Sequence, residues 1–168
     1  MVDSLLFRDL IGECTTFAHG PQNRLDNIDL TTVAIDGLVL MPGDEFSFNE
    51  VVGPRTAERG YKYALALAQG EFFLSIGGGI CQTSSTLYAA IRTTDLLVTE
   101  QHRHGRPVAY LPWGHDATVF YPYLDFRFVN NTNYPILIEI ELVDRDLTAK
   151  FYGTIIDDFP VEAGWNDN

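Results

Sequence analysis

The residues best suited to chemistry lie in the run Ser75-Ile76-Gly77-Gly78-Gly79-Ile80-Cys81-Gln82-Thr83-Ser84-Ser85-Thr86-Leu87-Tyr88. Three glycines permit a tight turn with positive φ and close backbone approach. Beyond them Gln82–Arg92 reads as a helix, with Leu87, Ala90 and Ile91 on one face. Cys81 therefore falls at the helix start, where unpaired N–H groups and the macrodipole favour the thiolate, the reactive form of the side chain. The same N–H groups suit the oxyanion of a tetrahedral intermediate, with the Gln82 amide as an extra donor and the Ser84 hydroxyl in the same turn as a substrate contact. A phosphate loop fits poorly, because no Gly-Lys-Ser/Thr ending follows the glycines.

A thiolate nucleophile needs a base. Three of the four histidines lie within 101–107 and 113–117. If His102–His104 is extended, both side chains project to one face, and one of them reaches Cys81 with Asp116 orienting the imidazole. Two other readings stand beside this one. Cys81 is a small buried hydrophobe behind a structural glycine turn, or the His-x-His pair joins Cys81 and Asp116 as metal ligands, although no metal signature spacing is present. Arg55 and Arg106 are candidates to meet a substrate carboxylate, since the guanidinium fork suits bidentate binding; bridging to surface acids is their alternative role. Tyr61, Tyr110 and Trp113 line a cleft or fill the core.

These side chains must be held by a chain of 168 residues, a length that suits one domain. Its composition, 46% hydrophobic and 20% charged with 11 Phe and 8 Tyr, is globular. With 11 Lys+Arg against 23 Asp+Glu, the net charge of −12 argues against nucleic acid and against anionic lipid. Two cysteines are too few for a disulfide scaffold; Cys14 reads as a small core residue on a strand. No run approaches the roughly 18 apolar residues of a membrane span, and Met1–Leu10 lacks the basic-then-apolar order of a signal peptide. A domain cut from a longer exported protein looks the same. The acidic run Asp157–Asn168 reads as a tail or linker after a domain at 1–156.

Strand chemistry marks Leu10–Phe17, and Asn27–Ile35 reads as a short helix capped by Asp26 or Asn27. Leu38–Met41 and Glu45–Phe48 look like strands joined by the Pro42-Gly43-Asp44 turn, and 49–60 like loop. Tyr61–Ala68 is ambiguous, its alanines leaning helical, and the apolar Phe72–Ile76 leads into the glycines. Strand patterns follow at Leu96–Glu100, Pro107–Leu111, Ala117–Tyr121, Asp125–Val129, Ile136–Val143 and Leu147–Tyr152, the last two a meander around Asp144-Arg145-Asp146. The expected class is α+β: a glycine-entered helix carrying Cys81 at its N-terminus, packed on a mostly antiparallel β-sheet.

Ordered blocks along most of the chain, from Leu10 to Ile138, resemble the VanW-like family. They are Pro42-Gly43-Asp44-Glu45-Phe46-Ser47-Phe48-Asn49, Gly53-Pro54-Arg55-Thr56 with Gly60-Tyr61-Lys62, the Gly77–Tyr88 run, His104-Gly105-Arg106-Pro107-Val108, Gly114-His115-Asp116-Ala117-Thr118-Val119 and Asn130-Asn131-Thr132. The chain departs from the family pattern at Ala89, Gln101, Gly105 and His115, none of which removes Cys81 or His104. The resemblance implies an extracytoplasmic domain of a larger, anchored cell-envelope protein, monomeric, acting without a cofactor on peptidoglycan stem peptides. Some members are L,D-transpeptidases. By position Cys81 would be the nucleophile and His104 the matching histidine.

Overall fold

A computed structural model of the chain describes residues 6–155. The acidic run expected as tail or linker, 157–168, lies outside the described residues.

Alternating side chains build the main sheet. Strand β1 (Asp9–Phe17) pairs with β9 (Asp146–Gly153), β9 with β8 (Ile136–Val143), and β8 with β2 (Val39–Leu40), all antiparallel. The β8–β9 meander turns at Asp144, as its sequence pattern predicts; φ there is +55°. Helix α1 (Gln22–Ile35) lies on β8, and helix α3 (Cys81–Ile91) lies on β1 and β9. Ile28, Ile35, Leu87, Ile91, Ile136, Ile138, Leu147 and Phe151 are fully buried between them, each contributing roughly 1.5–3 kcal/mol by leaving water. This is the expected α+β arrangement, with the glycine-entered helix on an antiparallel sheet.

A second sheet, in the order β3 (Glu45–Ser47), β7 (Arg127–Val129), β6 (Leu97–Glu100), is also antiparallel. Phe46 stacks on Phe128 with centroids 4.9 Å apart, and Phe128 meets Phe151 of the main sheet edge-on. The two sheets thereby share one aromatic core. Strands β2 and β3 do not pair with each other, contrary to a hairpin reading of 38–48. The Pro42-Gly43-Asp44 turn instead carries the chain from one sheet to the other, closed by the Asp44 N–H on the Met41 carbonyl.

Local differences from the sequence pattern have physical causes. Helix α1 begins at Gln22, directly after Pro21, whose φ of −77° suits a helix entry; Asn27 is thus inside the helix rather than capping it. The stretch 49–60, expected as loop, holds α2 (Phe48–Val52), capped by Ser47 accepting from the Glu50 N–H, and a 3-10 turn at Ala57–Arg59. Tyr63–Ala68 is not helical but strand β4, paired in full register with β5 (Glu71–Ile76); cross-strand bonding overrides the alanines. Pro107–Leu111 and Ala117–Tyr121 form no strand beyond one bridge between Phe120 and Leu124. Part of the Ala117–Tyr121 backbone is bonded to side chains of α3 instead.

Candidate active site

Strand β5 runs straight into the glycine turn, and the turn aims Cys81 out of the first position of α3. Glycine is required there. A Cβ on Gly78 would stand 2.1 Å from the Ala64 carbonyl oxygen, and Gly79 has φ +100°, where a Cβ would stand 2.5 Å from Arg24 Cγ. Asn27, fully buried on α1, clamps the turn: its Nδ2 donates to the carbonyls of Lys62 and Gly78, and its Oδ1 accepts from the Lys62 N–H.

Below Cys81 the first half of α3 is polar yet buried, and it is bonded throughout. Gln82 Nε2 donates to Thr16 Oγ1 at 2.9 Å and Gln82 Oε1 accepts from Arg24 Nη2 at 2.8 Å. Thr16 pairs with Thr86, and Thr31 of α1 with Thr83. Ser84 and Ser85 donate to the Ala117 carbonyl, and Ser85 accepts from the Ala117 N–H. These last bonds fasten the extended segment 116–119 along α3.

That segment links Cys81 to His104. At one end the Val119 N–H donates to Cys81 Sγ at 3.4 Å, with Thr118 Oγ1 at 3.5 Å. At the other end Asp116, 1% exposed, accepts from both the N–H and Nδ1 of His104, at 2.8 and 2.6 Å. Gln101 Nε2 and the Thr118 N–H tie the segment to 101–104 through the carbonyls of Asp116 and His102. With Nδ1 held by Asp116, Nε2 is the His104 nitrogen left for Cys81.

The electrostatics follow from that geometry. Burial pushes the Cys81 thiol up, but hydrogen bonding to His104 and its charge, with the Val119 N–H and Thr118 hydroxyl, bring it below the ordinary cysteine value. Burial pushes His104 down, while Cys81 and Asp116 raise it above the ordinary histidine value. Each partner stabilises the charged form of the other, which favours thiolate with imidazolium. Cys14 shows the contrast: burial and the neighbouring Glu13 raise its thiol.

The other sequence candidates separate. Arg55 lies near enough to the thiol for a charge on Cys81 to act on it, whereas Arg106 reaches away, donating to the Gly70 carbonyl with its guanidinium over Phe72. Tyr110 is close to Cys81, Ser85, Arg24 and Asp116, and burial raises its phenol strongly. Tyr61 is buried beside Arg55 and Gly77, and Trp113 is exposed. Gln82 and Ser84 are fully buried with their polar atoms bonded inside the protein, so they position α3 and the 116–119 segment instead of facing a cleft. His102 turns to Glu100, at 2.8 Å, and does not join Cys81 and His104. Among the described residues no group of three or more His, Cys, Asp or Glu side chains converges as metal ligands.

Sequence reasoning missed Arg24, Asn27, Gln101 and Val119. Of these only Arg24, by its charge, carries a chemical signal in the sequence; the rest act through a backbone geometry that the sequence does not display.

A helix-borne thiol, a neighbouring imidazole whose ionisation is coupled to it, and a buried carboxylate bonded to that imidazole make a candidate Cys–His–Asp site on an α+β scaffold. The chain belongs to the VanW-like family: residues 23–152 match the family described as VanW like protein. It is 42% identical over 140 residues to the uncharacterized protein YoaR of Bacillus subtilis, covering 83% of this chain and 46% of that one. It is 28% identical over 154 residues to the vancomycin B-type resistance protein VanW of Enterococcus faecalis, covering 83% of this chain and 55% of the relative. The chain thus spans about half the length of the curated relatives it matches. No solved structure matches it.

Proposed function

We propose that the chain is a cysteine acyltransferase of the bacterial cell wall, working outside the cytoplasm on peptidoglycan stem peptides in the manner of an L,D-transpeptidase. The observation that carries the reading is the line Cys81–His104–Asp116, with the thiol lowered and the imidazole raised. The relative named for vancomycin resistance is consistent with a cell-wall role.

In the first step the Cys81 thiolate attacks the carbonyl carbon of the third residue of a donor tetrapeptide. The Cys81 amide N–H, which has no acceptor four residues back within the helix, supports the oxyanion. The C–N bond breaks, the imidazolium of His104 gives its proton to the leaving amine, and a thioester remains. In the second step neutral His104 takes a proton from the incoming amine of an acceptor stem as its nitrogen attacks the thioester carbonyl; the C–S bond then breaks, the new amide is released and Cys81 leaves as the thiolate beside the imidazolium. Water in place of the amine gives the L,D-carboxypeptidase outcome. Asp116 holds the His104 tautomer throughout.

Incubation with a disaccharide-tetrapeptide is expected to add the mass of the acyl group, less the terminal amino acid, to the intact protein, and to release cross-linked dimer or tripeptide. Cys81→Ala should show neither. Turnover retained in that variant overturns the reading.

A further inference from the structure

Among the described residues, three buried side-chain polar atoms have no hydrogen-bond partner: Arg55 Nε, Arg55 Nη2 and Asn49 Oδ1. Leaving a charged group's donors unpaired in the interior is costly, and burial holds the Arg55 guanidinium below the ordinary arginine value. The remaining terminal nitrogen, Nη1, donates to the Gly53 carbonyl at 3.0 Å, and this bond fixes the guanidinium. Its central carbon lies over the ring of Phe48, 5.3 Å from the centroid, and over that of Tyr121, at 5.6 Å. Nε with Nη2 is therefore a free edge, and that edge has the spacing that binds both oxygens of a carboxylate side-on.

No carboxylate among the described residues takes it. Asp125 is the acid whose charge acts on Arg55. Its oxygens are occupied by the Ser47 hydroxyl, the N–H groups of Asn49 and Phe126, and Arg127. The remaining titratable neighbours are Tyr61, Tyr121 and Cys81 itself. Arg55 is packed against the glycine turn, its Cβ 3.0 Å from where a Gly77 Cβ would be, so it belongs to the same wall as the nucleophile. Phe48 is fully buried in the core, while Tyr121 is 41% exposed on the loop that follows Val119. Of the two rings, Tyr121 is the one that can swing away.

We infer that the free edge of Arg55 is the receptor for a carboxylate on the donor substrate, the α-carboxylate of the residue expelled when Cys81 is acylated, with Tyr121 as its cover. This rests on the acyl-transfer reading above. As the C–N bond breaks, the expelled amino acid takes its proton from His104 and leaves with its carboxylate still on Arg55. The site is thereby specific for donors that end one residue beyond the attacked carbonyl. A donor whose terminal carboxyl is an amide offers an N–H group to a donor edge and is rejected.

The test compares a tetrapeptide stem with a free terminal carboxylate and the same stem amidated. Binding is measured to Cys81→Ala protein and to Cys81→Ala carrying Arg55→Met or Arg55→Lys; acylation is measured by intact mass with Cys81 present. The expected result is at least tenfold preference for the acid in binding and in acylation rate. Arg55→Met should lose the preference by weakening the acid alone, and Arg55→Lys, which keeps the charge but not the fork, should retain part of it. Iodoacetamide labelling of Cys81 at an unchanged order of rate verifies that each Arg55 variant keeps the folded thiol site. Equal binding of acid and amide, or an Arg55→Met loss that strikes both alike, overturns the inference while leaving acylation standing. Preference for the acid without acylation of Cys81 by either peptide supports the carboxylate receptor and overturns the acyl-transfer reading instead.

Discussion

Two buried polar regions flank Cys81, and they are built on opposite plans. On the α3 side Gln82, Thr83, Ser84, Ser85 and Thr86 are all fully buried, and each has partners. Gln82, Thr16 and Thr86 close a ring: side-chain amide to hydroxyl, hydroxyl to hydroxyl, and the Thr86 hydroxyl back to the backbone carbonyl of Gln82. On the α2 side Asn49 and Arg55 leave three polar atoms unpaired. A satisfied network fixes one geometry, and an unsatisfied one costs stability until something fills it. The α3 network therefore has the character of a scaffold for Cys81, and the α2 region has the character that the proposed carboxylate receptor requires.

The largest effect is expected at Asp116, the buried carboxylate bonded to His104. Asp116→Asn keeps the shape but presents an amide where His104 donates twice, so the imidazole loses its fixed tautomer. Turnover should fall on the order of 10²–10⁴-fold, with the Cys81 thiol shifted back toward the ordinary value; peptide kinetics and alkylation rate against pH measure the two effects. An Asp116→Asn protein as active as the parent would make Asp116 a structural acid. On the scaffold side, Gln82→Leu strands Arg24 Nη2 without its acceptor and opens the ring. It should lower unfolding free energy by roughly 1–3 kcal/mol, read from urea denaturation at unchanged slope.

These two tests also separate what the sequence makes visible from what it hides. The glycine turn, the helix behind it and the β8–β9 meander are written in local patterns: glycines needing positive φ or close approach, apolar residues at helical spacing, alternation around a turn. Cys81, His104 and Asp116 are visible as residue types suited to chemistry. Their meeting is not, because it depends on 116–119 lying along α3 instead of joining a sheet. That choice is made by hydroxyls of Ser84 and Ser85 against the Ala117 backbone. Serines at a helix start read equally well as caps, first-turn polar surface or substrate contacts. The β4–β5 hairpin is hidden for a different reason, since alanines carry no strand signal and only the partner strand decides.

The two cysteines supply a smaller contrast within one molecule. Cys81 is lowered by His104 and Cys14 is raised by burial. For a thiol whose pKa is lowered, the reactive thiolate persists as pH falls below the ordinary thiol range; for a raised one it appears only above that range. Near neutral pH iodoacetamide should modify Cys81 at least about tenfold faster than Cys14, as read by peptide mapping. The advantage should shrink as pH rises and Cys14 ionises. Equal rates at neutral pH would return Cys81 to the role of a small buried hydrophobe.

The smallest effect is expected where a deletion of charge looks most severe. Arg55→Met removes a buried cation, its bond to the Gly53 carbonyl and two ring contacts, yet it also removes two unpaired donors and a desolvated charge. Methionine follows the same path between Phe48 and Tyr121 and adapts its shape to the space. These terms oppose one another, so stability should change by less than about 1 kcal/mol or rise slightly, as it does when ionic groups are replaced by packed apolar ones. The urea midpoint of Arg55→Met should therefore lie close to that of the parent and above that of Gln82→Leu. A loss of about 3–5 kcal/mol, the size expected from breaking a buried ion pair, would mean that Arg55 is satisfied within the fold. The α2 region would then be scaffold like α3, and the contrast between them would disappear.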